Sequence, residues 1–255
     1  MRDRLPDLLD GFEPLSLEAL DERAALLRRV DHKYAVPWSA FTELTNRLRG
    51  SHDVLEIDGR RTFAYSSTYF DTPDLRCFVD HVEDRLPRFK ARSRLYEDSH
   101  HCVFEVKLKR AGNETDKRQL DYAENDRGRM TPEAMECVRS ALADAGVGGP
   151  DDVCAALGPT LTTSFDRLTF ASRHGSERLT CDLGVRLRAP DGAAAVMKED
   201  HVLIETKSED GESPADRELE RIGIPSISLS KYRVGVGLVG GAQGSGPQPG
   251  SELFK

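Results

Sequence analysis

Between residues 85 and 95 the chain reads R-L-P-R-F-K-A-R-S-R-L, and its charged and apolar positions alternate. Arg88, Lys90, Arg92 and Arg94 occupy every second position, with Phe89, Ala91, Ser93 and Leu95 between or beside them. Alternate side chains of a strand share a face, so the spacing predicts a strand with a row of four cations on one side. A second strand is predicted at about 101 to 110. It places Val103, Glu105, Lys107 and Lys109 on one face and Phe104, Val106 and Leu108 on the other.

Other segments follow the same two periods. Leu17, Leu20, Ala24 and Leu27 form an apolar stripe at helical spacing within residues 17 to 29, and Ser39 to Leu48 predicts a second helix. R-V-D-H-K-Y-A-V-P predicts a strand ending at Pro37, and the aromatic, β-branched stretch from Thr62 to Phe70 predicts another. T-P-D-L at 72 to 75 predicts a short helix capped by Thr72, and A-G-N-E at 111 to 114 a turn. A strand at Lys117 to Tyr122 precedes a helix that opens at T-P-E-A and runs to about Ala145. Strands are expected at about 160 to 171, 177 to 189 and 201 to 208, and a helix starts at S-P-A-D, where Asp216 can close a capping box. Ile227 to Gly237 is expected to be strand or irregular.

Short strands with a few interposed helices indicate an antiparallel α+β fold. If the cationic faces lie inside, the sheet must curl around them. A closed antiparallel β-barrel, with the apolar faces packed outward under flanking helices, meets that need. Residues 1 to 238 form one domain on this pattern, and the Gly-, Pro- and Ser-rich stretch 239 to 255 is expected to be a flexible tail.

Charge sharpens the picture. The 255 residues carry a formal net charge of -8, so the chain lacks the basic balance of a protein that coats nucleic acid. A cationic cleft in an acidic exterior suits a small, highly charged anion, because a low-dielectric cleft focuses the field. The five cysteines are scattered and form no C-x-x-C pair, which predicts a reducing, cytoplasmic setting. The start of the chain lacks a signal-like apolar stretch, and no run approaches a membrane span.

Arg92 and Arg94 are the first candidates, since guanidinium forks match phosphate oxygens. The alternative for each cation is an exposed strand face with cross-strand ion pairs. Two E-x-K pairs, Glu105 with Lys107 and Glu205 with Lys207, place a carboxylate beside a lysine on a strand face. Such a carboxylate either holds Mg²⁺ or Mn²⁺ against phosphate or serves as an internal counter-ion. Lys33, Lys117, Arg167, Arg178 and the Ser230-Lys231-Tyr232 run are further basic points, each unremarkable alone. No P-loop, G-x-S-x-G or H-E-x-x-H pattern occurs, so chemistry has to come from placed charge and metal rather than a nucleophile.

In order along the chain stand R-V-D-H-K-Y, S-T-Y-F-D-T-P-D-L, R-F-K-A-R-S-R-L-Y, F-E-V-K, K-R, F-D-R-L-T-F, R-L-T-C-D, L-I-E-T-K and S-K-Y. Over residues 15 to 238 this series resembles the VTC domain, part of the CYTH or triphosphate-tunnel superfamily. The resemblance implies an antiparallel tunnel that binds ATP and a triphosphate or polyphosphate chain and makes polyphosphate from ATP with Mn²⁺ or Mg²⁺. It implies phosphate contacts for Lys33, Arg92, Arg94, Lys107, Lys117, Arg167, Arg178, Lys207, Ser230 and Lys231. It also assigns a catalytic part to Arg92, Arg94, Lys107, Arg178 and Lys231, and favours Glu205 over Glu105 for the metal. The first strand departs from the superfamily's E-x-E-x-K, carrying Arg29, Asp31 and Lys33 instead, which weakens assignment to a thiamine triphosphatase or adenylate cyclase. Rival expectations are a hydrolase using the same tunnel and a non-catalytic binding module for polyphosphate or inositol phosphate.

Overall fold

A computed structural model describes residues 4–23, 29–111, 115–242 and 246–255. Ala24 and Leu27 of the first predicted stripe, and positions 112 to 114 of the predicted turn, lie outside the described residues. The chain begins with α1 (Leu5–Leu9), β1 (Pro14–Leu15), α2 (Leu17–Arg23), β2 (Val30–Pro37), α3 (Trp38–Leu48), β3 (His52–Leu55), β4 (Phe63–Asp71) and α4 (Arg76–Val82). Its middle carries β5 (Arg88–Tyr96), β6 (His101–Lys109), β7 (Thr115–Tyr122), α5 (Pro132–Asp144) and α6 (Pro150–Ala156). It continues through β8 (Gly158–Ser172), β9 (Arg178–Arg188), β10 (Ala194–Val196), β11 (His201–Ser208), α7 (Pro214–Arg221) and α8 (Lys231–Val239). No described helix is long and apolar enough to cross a membrane.

Eight strands form the main path, in the order β2-β11-β9-β8-β4-β5-β6-β7, and every neighbouring pair along it is antiparallel. The fold is therefore α+β, as expected, but the barrel does not close. Among the described residues β2 and β7 end the path without pairing to each other. The sheet still curls: charges on β2 and β11 (Asp31, Lys33, Glu205) act on Lys107 of β6, although these strands are far apart along the path.

The convex face is apolar and covered. Val36, Leu168, Phe170, Leu179, Cys181, Val202 and Ile204 pack with Phe41, Leu44 and Leu48 of α3 and Leu219 of α7. On the other half, Phe89, Ala91, Leu95, Phe104, Val106 and Leu108 share a core with Ala134, Val138 and Leu142 of α5. This is the alternation expected of β5, whose odd-numbered residues are buried and whose cations are half-buried.

Three local expectations are corrected. The helix after β4 starts at Arg76, because Asp71 draws the N–H groups of Thr72, Cys77 and Phe78 to its carboxylate and Leu75 takes a left-handed conformation. Residues 231–239 are helical rather than strand: Ser230 caps α8 by accepting from the Arg233 N–H. One end of the concave face, at Tyr69 and Leu161, is apolar, and α8 seats there with Tyr232 stacked on Tyr69 at 5.0 Å between ring centroids. Gly235 meets Leu161 so closely that a Cβ would overlap its side chain. Gly235→Ala is expected to cost about 1–3 kcal/mol by overpacking, read as a lower urea midpoint. Finally, part of the expected tail is ordered. Phe254 bridges Met197, the Lys255 and Val196 backbones exchange two hydrogen bonds, and Leu253 and Phe254 are buried.

Candidate functional site

Strand register decides which side chains meet. Glu205 lies opposite Lys33 on one side and Thr180 on the other; Lys207 lies opposite Asp31 and Arg178. Asp182 pairs with Arg167, Arg167 with Phe63, Ser67 with Arg94, Tyr69 with Arg92, Arg92 with Glu105 and Lys107 with Lys117. Directly paired residues share a face. One concave surface therefore collects Lys33, Arg92, Arg94, Glu105, Lys107, Lys117, Arg167, Arg178, Glu205 and Lys207. The segment before α8 crosses this trough: the Ile227 N–H donates to the Lys33 carbonyl at 2.7 Å, and Lys90 Nζ donates to Ser230 Oγ at 3.2 Å. Ser230 and Lys231 thus join the same surface.

The cations differ in what holds them. Arg92 donates through Nε to Glu105 Oε2 at 2.6 Å and through Nη1 to the Tyr69 hydroxyl at 3.1 Å. Lys117 Nζ is 2.5 Å from the other carboxylate oxygen, Glu105 Oε1. Burial would raise the Glu105 pKa, but Arg92, Arg94 and Lys117 outweigh it and hold the group at about 2. Glu105 thus stands as counter-ion to Arg92 and Lys117, a placement set by its direct cross-strand pairing with Arg92.

Arg167 and Lys231 share a partner that sequence reasoning missed. Asp182 accepts two bonds from Arg167, at 2.6 and 2.9 Å, and one from Lys231 Nζ at 2.5 Å. Burial opposes its charge, yet the two cations bring its pKa down to about 2. The signals for it are that Arg178, Thr180 and Asp182 alternate along β9 and that Asp182 closes the R-L-T-C-D motif. Aromatic faces support the same cations: Arg167 lies 5.0 Å from the Tyr65 ring centroid, and Lys231 Nζ 4.6 Å from that of Phe165.

Arg94 has a hydroxyl in place of a carboxylate. Its Nε donates to Ser67 Oγ at 3.2 Å and its guanidinium lies over Tyr65. Burial, then repulsion from Arg92 and Arg167, lowers its pKa. Lys33 and Lys207 each stand 3.6 Å from Glu205, one per oxygen. Burial would raise the Glu205 pKa; the surrounding cations hold it well below the carboxylate range. Arg178 is at the margin, its Nη2 3.1 Å from Asp21 of α2.

No group of three His, Cys, Asp or Glu side chains converges among the described residues. The contacts of Glu205, at 3.6 Å, leave coordination room. These residues fit a divalent cation that takes most of its ligands from phosphate and water, as Mg²⁺ commonly does.

The VTC-domain family model matches residues 28–239. No curated protein matches the chain. Among solved structures, a candidate adenylate cyclase from Bacillus halodurans is similar at 16% identity and a TM-score of 0.51, over 80% of this chain and 94% of that one. A candidate adenylyl cyclase from Hippeastrum, reported with a dominant triphosphatase activity, gives 17% identity and a TM-score of 0.49 over 81% and 94%. A protein from Pyrococcus horikoshii gives 13% and 0.41 over 80% and 95%.

Proposed function

This chain belongs to the VTC-domain family, and from that membership and the cationic trough we propose that it transfers the γ-phosphoryl group of ATP to a phosphate chain. The observation that carries this function is the excess of cations over carboxylates on one concave surface, with Arg94 facing it and paired to no acid among the described residues. Each cation–phosphate contact gains roughly 4 kcal/mol at 4 Å and an effective dielectric near 20, before desolvation.

Arg92, Arg94 and Lys107 hold the phosphates from one wall, and Arg167, Lys33 and Lys207 from the other. Lys231 and Ser230 approach from α8. Together they align an acceptor phosphate with the γ-phosphate and neutralise the charge that develops. The acceptor is already an anion, so no general base is required. Glu205 would hold Mn²⁺ or Mg²⁺, which would supply charge neutralisation for the leaving ADP.

Lys207 provides a pH signature. Burial, only partly opposed by Glu205, lowers its pKa to about 8 in the free protein. A phosphate chain favours the charged form, so binding above pH 8 must take up a proton. Tripolyphosphate affinity is expected to fall as pH rises past about 8, with proton uptake measurable by calorimetry in buffers of different ionisation enthalpy. Lys207→Arg should reduce that slope, leaving the share of Lys90 and Lys107, whose pKa values burial also lowers.

Incubation of the pure protein with ATP and Mn²⁺, followed by gel separation, tests the assignment. A ladder of long phosphate chains is expected. Free phosphate alone would mean a hydrolase, and unchanged ATP with tight polyphosphate binding a binding module.

A further inference from the structure

Beyond the trough residues named above, a second group of cations gathers where β5, β6, α4 and α8 approach one another. Arg88 of β5 lies directly opposite Lys109 of β6, on the same face as Lys90, which lies opposite Lys107. Like charges placed directly across a strand pair are destabilising, so two consecutive cationic rungs need a compensating anion. Arg233 of α8 donates through Nη2 to the Ser228 carbonyl at 3.0 Å, while its buried Nε has no hydrogen-bond partner among the described residues. His81 Nδ1 of α4 is also buried and without one. Lys90, Arg233, Arg88 and Lys109 all act on His81; with burial as the larger cause, they lower its pKa to about 3.

The carboxylates nearby do not balance this charge. Asp84 binds Arg88 at 2.6 Å, but its side chain is 84% exposed and its attraction is screened. Asp80 is shared between Arg76 and Arg85. From Arg94 to Arg88 the cationic row spans six strand residues, or about 20 Å, which exceeds the reach of three linked phosphates.

We propose that Arg88, Lys109, Arg233 and His81 form a distal phosphate-binding site, which holds phosphate groups of a chain continuing out of the trough past Lys90. Resting on the function proposed above, the site makes long linear polyphosphate, rather than triphosphate, the preferred ligand. It binds by charge and hydrogen bonding alone and involves no covalent step. His81 reports on it: an anion beside the imidazole favours the protonated form and raises the His81 pKa.

The test compares tripolyphosphate, orthophosphate and a long polyphosphate in titration calorimetry, using wild type, Arg88→Gln and Arg233→Gln, each checked for an unchanged thermal midpoint. Long-chain affinity is expected to fall about tenfold in each variant, the loss of one hydrogen bond to a charged group, while tripolyphosphate affinity holds. In the wild type, the His81 imidazole resonances should titrate at higher pH with the long chain than with tripolyphosphate. Equal losses for both chains, or none, overturn the distal site while leaving the trough intact. Loss confined to orthophosphate overturns the chain continuation, leaving a site for free phosphate. A wild-type protein that binds neither chain removes the trough assignment and the distal site together. Should Arg88→Gln melt early, the Arg233→Gln and His81 measurements decide.

Discussion

Arg94→Ala abolishes turnover and lowers tripolyphosphate affinity by about a hundredfold, with the thermal midpoint unchanged or raised. A fully desolvated charge contact typically carries 2–5 kcal/mol when one partner is truncated, which sets this scale. The stability forecast has a separate origin. In the free protein Arg94 stands beside Arg92 and Arg167 and has only Ser67 Oγ and the Tyr65 face for support. Removing it relieves repulsion and breaks no ion pair. Paired calorimetry and melting measurements check both halves, and an active Arg94→Ala protein would mean the phosphates lie elsewhere.

Asp182→Asn has the opposite profile. Arg167 and Lys231 share this buried carboxylate as their counter-ion. Removing one partner of a buried ion pair leaves an uncompensated charge, typically at a cost of 3–5 kcal/mol. We expect a loss of about 3 kcal/mol in urea unfolding, and a partial recovery when tripolyphosphate supplies the missing negative charge. The double variant Asp182→Leu with Arg167→Met should be more stable than the single one, because it leaves fewer stranded charges. An Asp182→Asn protein as stable as wild type would show that the carboxylate does not hold these two cations.

These variants bracket what the sequence made legible. The cationic face of β5 was readable because no charge interrupts Phe89, Ala91, Ser93 and Leu95, leaving one possible orientation against α5. The α7 start was readable because Ser213 and Asp216 form a local capping box, and local contacts leave local signals. Asp182 was not, because an isolated acid in a strand gains meaning only when Arg167, fifteen residues earlier, arrives beside it. The helix α8 was obscured by V-G-V-G-L-V, which has poor intrinsic helix preference. Its conformation is set by the Ser230 cap and by close approach to Leu161. The open edge between β2 and β7 depends on how the register and curl of eight strands accumulate, which no single segment encodes.

The central claim is that cations on separate strands converge on one phosphate chain. A crystal structure of the protein with tripolyphosphate and Mn²⁺ tests it most directly. The phosphates are predicted to lie in the trough within hydrogen-bonding distance of Arg92, Arg94, Lys33 and Lys107, with the metal between Glu205 and phosphate oxygens. An anion bound only on the outer surface, with the trough holding water, would contradict it.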